Sequence, residues 1–127
     1  MKKIETPLGD VYQLSNNLTK AVIKVAKVDD LELVKQHMQM IRNHFGAYSF
    51  YLSDTRLVKH TSMEVRKYLV EQATVSAVAI LAKNSITIML ANIFINFSKP
   101  PYPTKLFKDE SDAIAWLIEQ GAETPKT

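Results

Sequence analysis

Cysteine is absent from this chain of 127 residues, so neither a disulfide framework nor a thiolate metal site is available to it. That suits a reducing compartment, and a cytoplasmic setting is the expectation. Glycine is scarce, with Gly9, Gly46 and Gly121 the three present, each where a turn or a helix end is expected. A P-loop or a dinucleotide fingerprint needs a cluster of glycines, so nucleotide binding by those mechanisms is excluded and no cofactor is expected. No apolar run reaches the length of a membrane span. Residues 75–97 come nearest, but Lys83-Asn84-Ser85 divides them into pieces too short to cross a bilayer. The opening Met1-Lys2-Lys3-Ile4-Glu5 has no apolar run behind its lysines and does not read as a signal peptide.

A dense stripe of one charge is missing as well. Sixteen basic and thirteen acidic residues leave a net charge of +3, and the basic ones are scattered, Lys20, Lys24 and Lys27 on one segment and Lys99, Lys105 and Lys108 on another. A nucleic-acid binder more often concentrates its cations and interleaves aromatics among them, so nucleic acid is not an expected partner. What is present is 46% hydrophobic and 23% charged, the proportions of a globular protein, at a length that fits one domain over residues 1–127.

The apolar pattern divides the chain into alternating elements. Val11-Tyr12-Gln13-Leu14 and Ala21-Val22-Ile23-Lys24-Val25 are β-prone runs separated by the turn-tolerant Ser15-Asn16-Asn17, which predicts a hairpin. Asp29 with Glu32 reads as a capping box, and Leu31, Val34, Met38, Ile41 and Phe45 follow on one helical face until Gly46. Tyr48-Ser49-Phe50-Tyr51-Leu52 is a short strand. Thr61 with Glu64 predicts a second capped helix that turns Val65, Tyr68 and Leu69 inward. Residues 75–82, almost continuously apolar, read as a strand covered on both faces.

Residues 86–97 follow, with Ser85 as the expected cap. Their β-branched composition leaves strand or helix open, and helix is preferred because a strand of this length would be unusual. Ile86, Leu90, Ile93 and Phe97 then share a face expected to meet the core. Pro100-Pro101-Tyr102-Pro103 ends the helix, Thr104-Lys105-Leu106-Phe107 is a short strand, and Asp109 opens a last helix burying Ala113, Trp116 and Leu117. Residues 123–127 read as a frayed tail. The order β-β-α-β-α-β-α-β-α predicts an α/β fold: a mainly parallel sheet with an N-terminal β-hairpin, four helices and right-handed crossovers.

Catalytic chemistry finds little support. His37 and His44 are seven residues apart on the first helix, too far for a metal pair at adjacent turns, and both read as surface histidines. The loop from Ser53 holds Asp54, His60 and Ser62, the residue types of a hydrolase, but no nucleophile elbow frames either serine, and Thr61 is already expected as a cap. No catalytic residue and no metal ligand is therefore expected. The notable feature is the helix over residues 86–97, which is apolar nearly all round. Ile88, Met89 and Ile95 fall off its core-facing line, and an exposed apolar face marks a partner, a dimer contact or a ligand groove.

The stretch Asn96-Phe97-Ser98-Lys99-Pro100-Pro101-Tyr102-Pro103-Thr104-Lys105-Leu106-Phe107, followed by Asp109 and Ala113-Ile114-Ala115-Trp116-Leu117, resembles the C-terminal signature of SpoIIAA-like domains, relatives of the STAS family. The resemblance is carried by the last third of the chain, and over the rest the order of elements agrees. It implies a non-catalytic regulatory or protein-interaction module. STAS antagonists switch by phosphorylation of a serine in an Asp-Ser-Ser-Gly-Leu motif at a helix start, where a dianion is stabilised and can repel a partner. On that alignment Ser62 falls on the first serine, Met63 on the usual phosphoacceptor and Glu64 on the glycine, which makes Ser62 the candidate phosphoacceptor. The combined expectation is a homodimer, or a complex with another protein, formed through the apolar helix. The alternative is capture of a lipid or small apolar ligand lined by Ile88, Met89 and Ile95.

Overall fold

The Asn16-Asn17 turn joins two strands, β2 (Gly9–Ser15) and β3 (Leu18–Ile23), with Ser15 opposite Leu18 across the bend. This computed structural model describes residues 2–72, 74–98 and 100–126, apart from the side chains of Phe94, Phe97 and Ser98. The sequence-based placement of Phe97 on a core-facing line therefore lies outside the described residues. Ahead of the hairpin a further strand, β1 (Lys3–Thr6), pairs antiparallel with β2. Its single large apolar residue, Ile4, gives no alternating pattern to detect.

After β3 the chain forms β4 (Lys27–Val28), α1 (Leu31–Phe45), β5 (Ser49–Asp54), β6 (His60–Thr61) and α2 (Met63–Gln72). It continues with β7 (Val75–Leu81), α3 (Ser85–Ser98), β8 (Thr104–Phe107) and α4 (Glu110–Gln120). The six-stranded sheet has the order β1-β2-β3-β5-β7-β8, antiparallel from β1 to β3 and parallel from β3 to β8, so it is mixed rather than wholly parallel. Beside it β4 and β6 form a two-residue parallel pair, Lys27 opposite His60 and Val28 opposite Thr61. The element order read from the sequence holds once β1, β4 and β6 are added.

Two layers of core follow from the alternation of β5 and β7, with a register shift beside Val75 that puts it in the same layer as Val78. Tyr51, Val75 and Val78 face α1 and α2, where they meet Val34, Ile41 and Val65. Leu52, Ala77, Ala79 and Leu81 face the other way, onto Ala113 and Leu117 of α4. Alanines at 77 and 79 let α4 lie close on the sheet. Leu18, Leu52, Leu81 and Leu117 are completely enclosed, each stabilising the fold by roughly 1.5–3 kcal/mol relative to exposure.

Every side-chain N-cap sits one residue from its expected place. Asp30, not Asp29, accepts from Glu32 N and Leu33 N at 3.1 and 3.3 Å. Ser62, not Thr61, accepts from Val65 N at 3.2 Å. Asn84, not Ser85, accepts from Ile86 N and Thr87 N at 2.9 and 3.0 Å. In each case two polar residues adjoin, and the backbone path of the loop selects the one whose oxygen reaches the free amides.

Residues 123–126 are docked rather than frayed. Ala122 is buried, Glu123 N donates to Asn17 Oδ1 at 2.8 Å, and Lys126 N donates to Leu14 O at 2.8 Å. Gly121 makes this return possible, since its φ is +124° and a Cβ there would meet the Phe50 ring at 3.0 Å.

Candidate functional site

Helix α3 lies along β8, the last strand of the sheet, and one asparagine fastens it there. Asn92 Nδ2 donates to Leu106 O at 3.0 Å, while Leu106 N donates to Asn92 Oδ1 at 2.8 Å. The carboxamide thus takes the place of a further strand and satisfies a sheet edge that would otherwise be open. Asn92 is half-buried, and Ile88, Ala91 and Ile95 on the same line of α3 are half-buried with it.

That line reverses the facing expected from the sequence. Ile86, Leu90 and Ile93, assigned to the core, point outward and are 66%, 58% and 48% exposed, with Met89 beside them at 55%. Ile88 and Ile95, assigned to the free face, point inward, and of the three residues named as exposed Met89 alone is so. Both lines of α3 are apolar, so hydrophobic spacing cannot choose between them. The fixed polar anchor does, because Asn92 must reach the β8 backbone. The outward face remains apolar: Ile86, Met89, Leu90 and Ile93 recur at spacings of three and four, and residues 85–98 include no charged side chain.

Between α3, the Pro100-Pro101-Tyr102-Pro103 loop, β8 and α4 runs an open groove of about 520 Å³. Ile95, Asn96, Lys105 and Trp116 line it together with the loop. Tyr102 donates its hydroxyl to Leu69 O at 2.8 Å, which fixes the loop to the last turn of α2. Of the apolar residues expected to line a ligand site, Ile95 is at this groove; Ile88 and Met89 are not among its lining residues.

The polar loop after β5 does not assemble a nucleophile and base. Asp54 is buried at the end of β5, and its carboxylate accepts from Arg56 Nε at 2.9 Å, Arg56 Nη2 at 2.6 Å and Arg56 N at 3.1 Å. The guanidinium holds this carboxyl below its ordinary value. His60 is exposed in β6, and the Ser62 hydroxyl caps α2. Among the described residues no hydrogen bond joins any two of the three, and no group of His, Asp and Glu side chains gathers to hold a metal. No described helix is long and apolar enough to cross a membrane.

His37 is not at the surface, contrary to the sequence reading. It is 2% exposed, inside the layer between α1 and the sheet. Leu8 N and Gly9 N donate to Thr6 Oγ1 at 3.1 and 3.3 Å and occupy its lone pairs. The Thr6 hydroxyl hydrogen therefore goes to His37 Nδ1, at 2.7 Å, in preference to Gly9 O at 3.3 Å. The imidazole proton then lies on Nε2, which donates to Tyr51 Oη at 3.1 Å. Burial pushes the His37 pKa down to about 4 and raises that of the Tyr51 phenol, so both are neutral at pH 7. A signal was present: residues 34, 37 and 41 share one helical face, which places His37 between Val34 and Ile41. His44 is exposed, as expected.

Comparison with known proteins agrees with this architecture. A solved structure from Shewanella loihica PV-4, an uncharacterized protein of the DUF3478 family with a SpoIIAA-like fold, matches with a TM-score of 0.54. The identity is 20%, and the match covers 79% of this chain and 82% of that one. The likeness is one of fold, and the fold is SpoIIAA-like, as the C-terminal resemblance implies. No curated protein matches the chain. The family model described as a domain of unknown function, DUF7793, matches residues 12–120. That match runs from within β2 to the end of α4, and the chain belongs to the DUF7793 family.

Proposed function

We propose that this domain is a non-catalytic interaction module that pairs with a second copy of itself through the outward face of α3. The observation that carries the reading is the exposure of Ile86, Met89, Leu90 and Ile93 on a helix without charge. Burying such a face gains roughly 25 cal/mol for each Å² of apolar surface withdrawn from water. A charged partner would find no complementary ion on it. An identical uncharged helix, related by a two-fold axis, presents the same apolar row and leaves no charge stranded. The SpoIIAA-like fold, the separate structural employment of Asp54 and Ser62, and the exposure of His60 away from both favour this reading over a hydrolase.

Sedimentation equilibrium across a hundredfold range of concentration tests it. The wild-type mass is expected to rise toward twice 14.4 kDa, and Leu90→Glu, which places a charge in the row, is expected to stay at the monomer mass. A wild-type protein that is monomeric throughout, or a Leu90→Glu variant that dimerises equally, contradicts the proposal. Ser62 phosphorylation belongs to the same regulatory reading. A phosphate there would stand at the start of α2, beside the Glu64 carboxylate, and would displace a hydroxyl that now caps the helix.

A further inference from the structure

The groove beside α3 is a different surface from the outward row, and its lining is chemically uneven. One wall is Trp116 of α4, whose ring is braced by Phe107 at a centroid distance of 5.7 Å and a tilt of 50°. Ile95 stands on α3 opposite, and the proline-rich loop closes one end. The loop is held by the Tyr102 hydroxyl and the α3 wall by the Asn92 clamp, so both sides are fixed before anything binds.

Among the described residues, two polar groups at the groove have no hydrogen-bond or ion-pair partner. Asn96, one turn beyond the engaged Asn92, makes no hydrogen bond among the described residues. Lys105 rises from β8 with its ammonium 5.4 Å from the Phe107 ring centre and makes no ion pair among the described residues. It is the one charged residue among those described at the groove, which has no carboxylate in its lining. Among the described residues, a flat apolar wall, an unengaged amide and an unneutralised cation beside the Phe107 ring thus border one space of about 520 Å³, within the size range of small-molecule sites.

We propose that this groove binds a small carboxylate carrying an aromatic ring. The ring lies against Trp116 and the prolines, the carboxylate takes the Lys105 ammonium, and the Asn96 amide donates to the same oxygens. The site is independent of self-association, since its lining omits Ile86, Met89, Leu90 and Ile93.

Phenylacetate, with phenylacetamide as its uncharged counterpart, provides the test in a titration followed by ¹H–¹⁵N correlation spectra. Trp116 is the chain's single tryptophan, so its indole N–H gives one identifiable signal. Saturable shifts are expected at that indole and at the Asn96 side-chain amide. Phenylacetamide, and phenylacetate on the Lys105→Gln variant, are each expected to bind roughly fivefold more weakly, as befits an exposed ion pair. Lys105 and Asn96 are exposed, so Lys105→Gln and Asn96→Ala are expected to melt as the wild type does, whereas replacing Trp116 would unsettle its packing on Phe107. Equal binding of acid and amide, an unaffected Lys105→Gln, shifts centred on Met89 and Ile93, or no saturation at all would each overturn the proposal. Repeating the titration on Leu90→Glu separates this site from the dimer: groove shifts that persist there stand whether or not the protein pairs.

Discussion

His37 is a buried imidazole whose two nitrogens are both committed, one accepting from Thr6 and one donating to Tyr51. Its pKa falls from 6.5 to about 4 on folding, because burial penalises the charged ring. The neutral form is the one the fold favours, so stability is complete above pH 6.5 and declines as pH falls toward 4, where the folded protein also takes the proton. Across that interval the loss is about 3 kcal/mol, from 1.36 kcal/mol per pKa unit. Urea unfolding at a series of pH values checks this: His37→Gln is expected to be less stable at pH 7 and to show a flatter decline between pH 6.5 and 4. The Asp54 carboxyl, held down by Arg56, acts in the same direction at lower pH, its contribution being present above the ordinary carboxylate value and lost as pH falls through the folded one. Tyr51→Phe leaves the His37 Nε2–H without its acceptor, and a loss of roughly 1–3 kcal/mol in the same assay is expected. His37 was legible as a core residue from its place between Val34 and Ile41. Its partners were not, because Thr6 and Tyr51 are 31 and 14 residues away and belong to strands that only folding brings together.

At the scale of elements, α3 is the instructive case. Its existence and its ends were readable from Asn84-Ser85 and the proline run, but its facing was not, since apolar residues stand on both of its long sides. A pair of hydrogen bonds at Asn92 decided the matter, and the two asparagines of an otherwise largely apolar helix, Asn92 and Asn96, were the available sign. Asn92→Ala is expected to destabilise the protein by roughly 2–3 kcal/mol, leaving Leu106 N and O unpaired, and to speed hydrogen exchange at the Leu106 amide. Asn92→Asp retains the acceptor but sets a carboxylate against Leu106 O, so it is expected to behave no better than alanine. The capping of α2 is a smaller effect of the same kind. Ser62→Ala is expected to lower stability by about 1 kcal/mol and Ser62→Asp to retain it, because aspartate also caps. Equal losses in the two variants by thermal melting would show that the hydroxyl is not acting as the cap.

Over the whole molecule, the alternation of helix and strand was sufficient to give the parallel half of the sheet, and the Asn16-Asn17 turn gave the hairpin. β1, β4 and β6 escaped notice because two- to four-residue strands with exposed alternate positions leave no periodic trace. The groove at α3 escaped for a different reason: Asn96, Lys105 and Trp116 lie on three elements and converge only in the folded chain. What the assembled molecule displays is a SpoIIAA-like sheet with α4 covering one face, α1 and α2 the other, and α3 along the β8 edge with an uncovered apolar row. The account depends on that row meeting its own copy. A spin label on a cysteine introduced at Thr87, exposed on α3 beside Leu90, reports this directly because the chain has no cysteine of its own. Helices packed face to face lie 8–10 Å apart, so the two labels of a dimer are expected to show a dominant separation of roughly 20–30 Å, lost on Leu90→Glu. A label pair that shows no mutual coupling at high protein concentration, or that is close only when placed at Gln39 on α1, contradicts it.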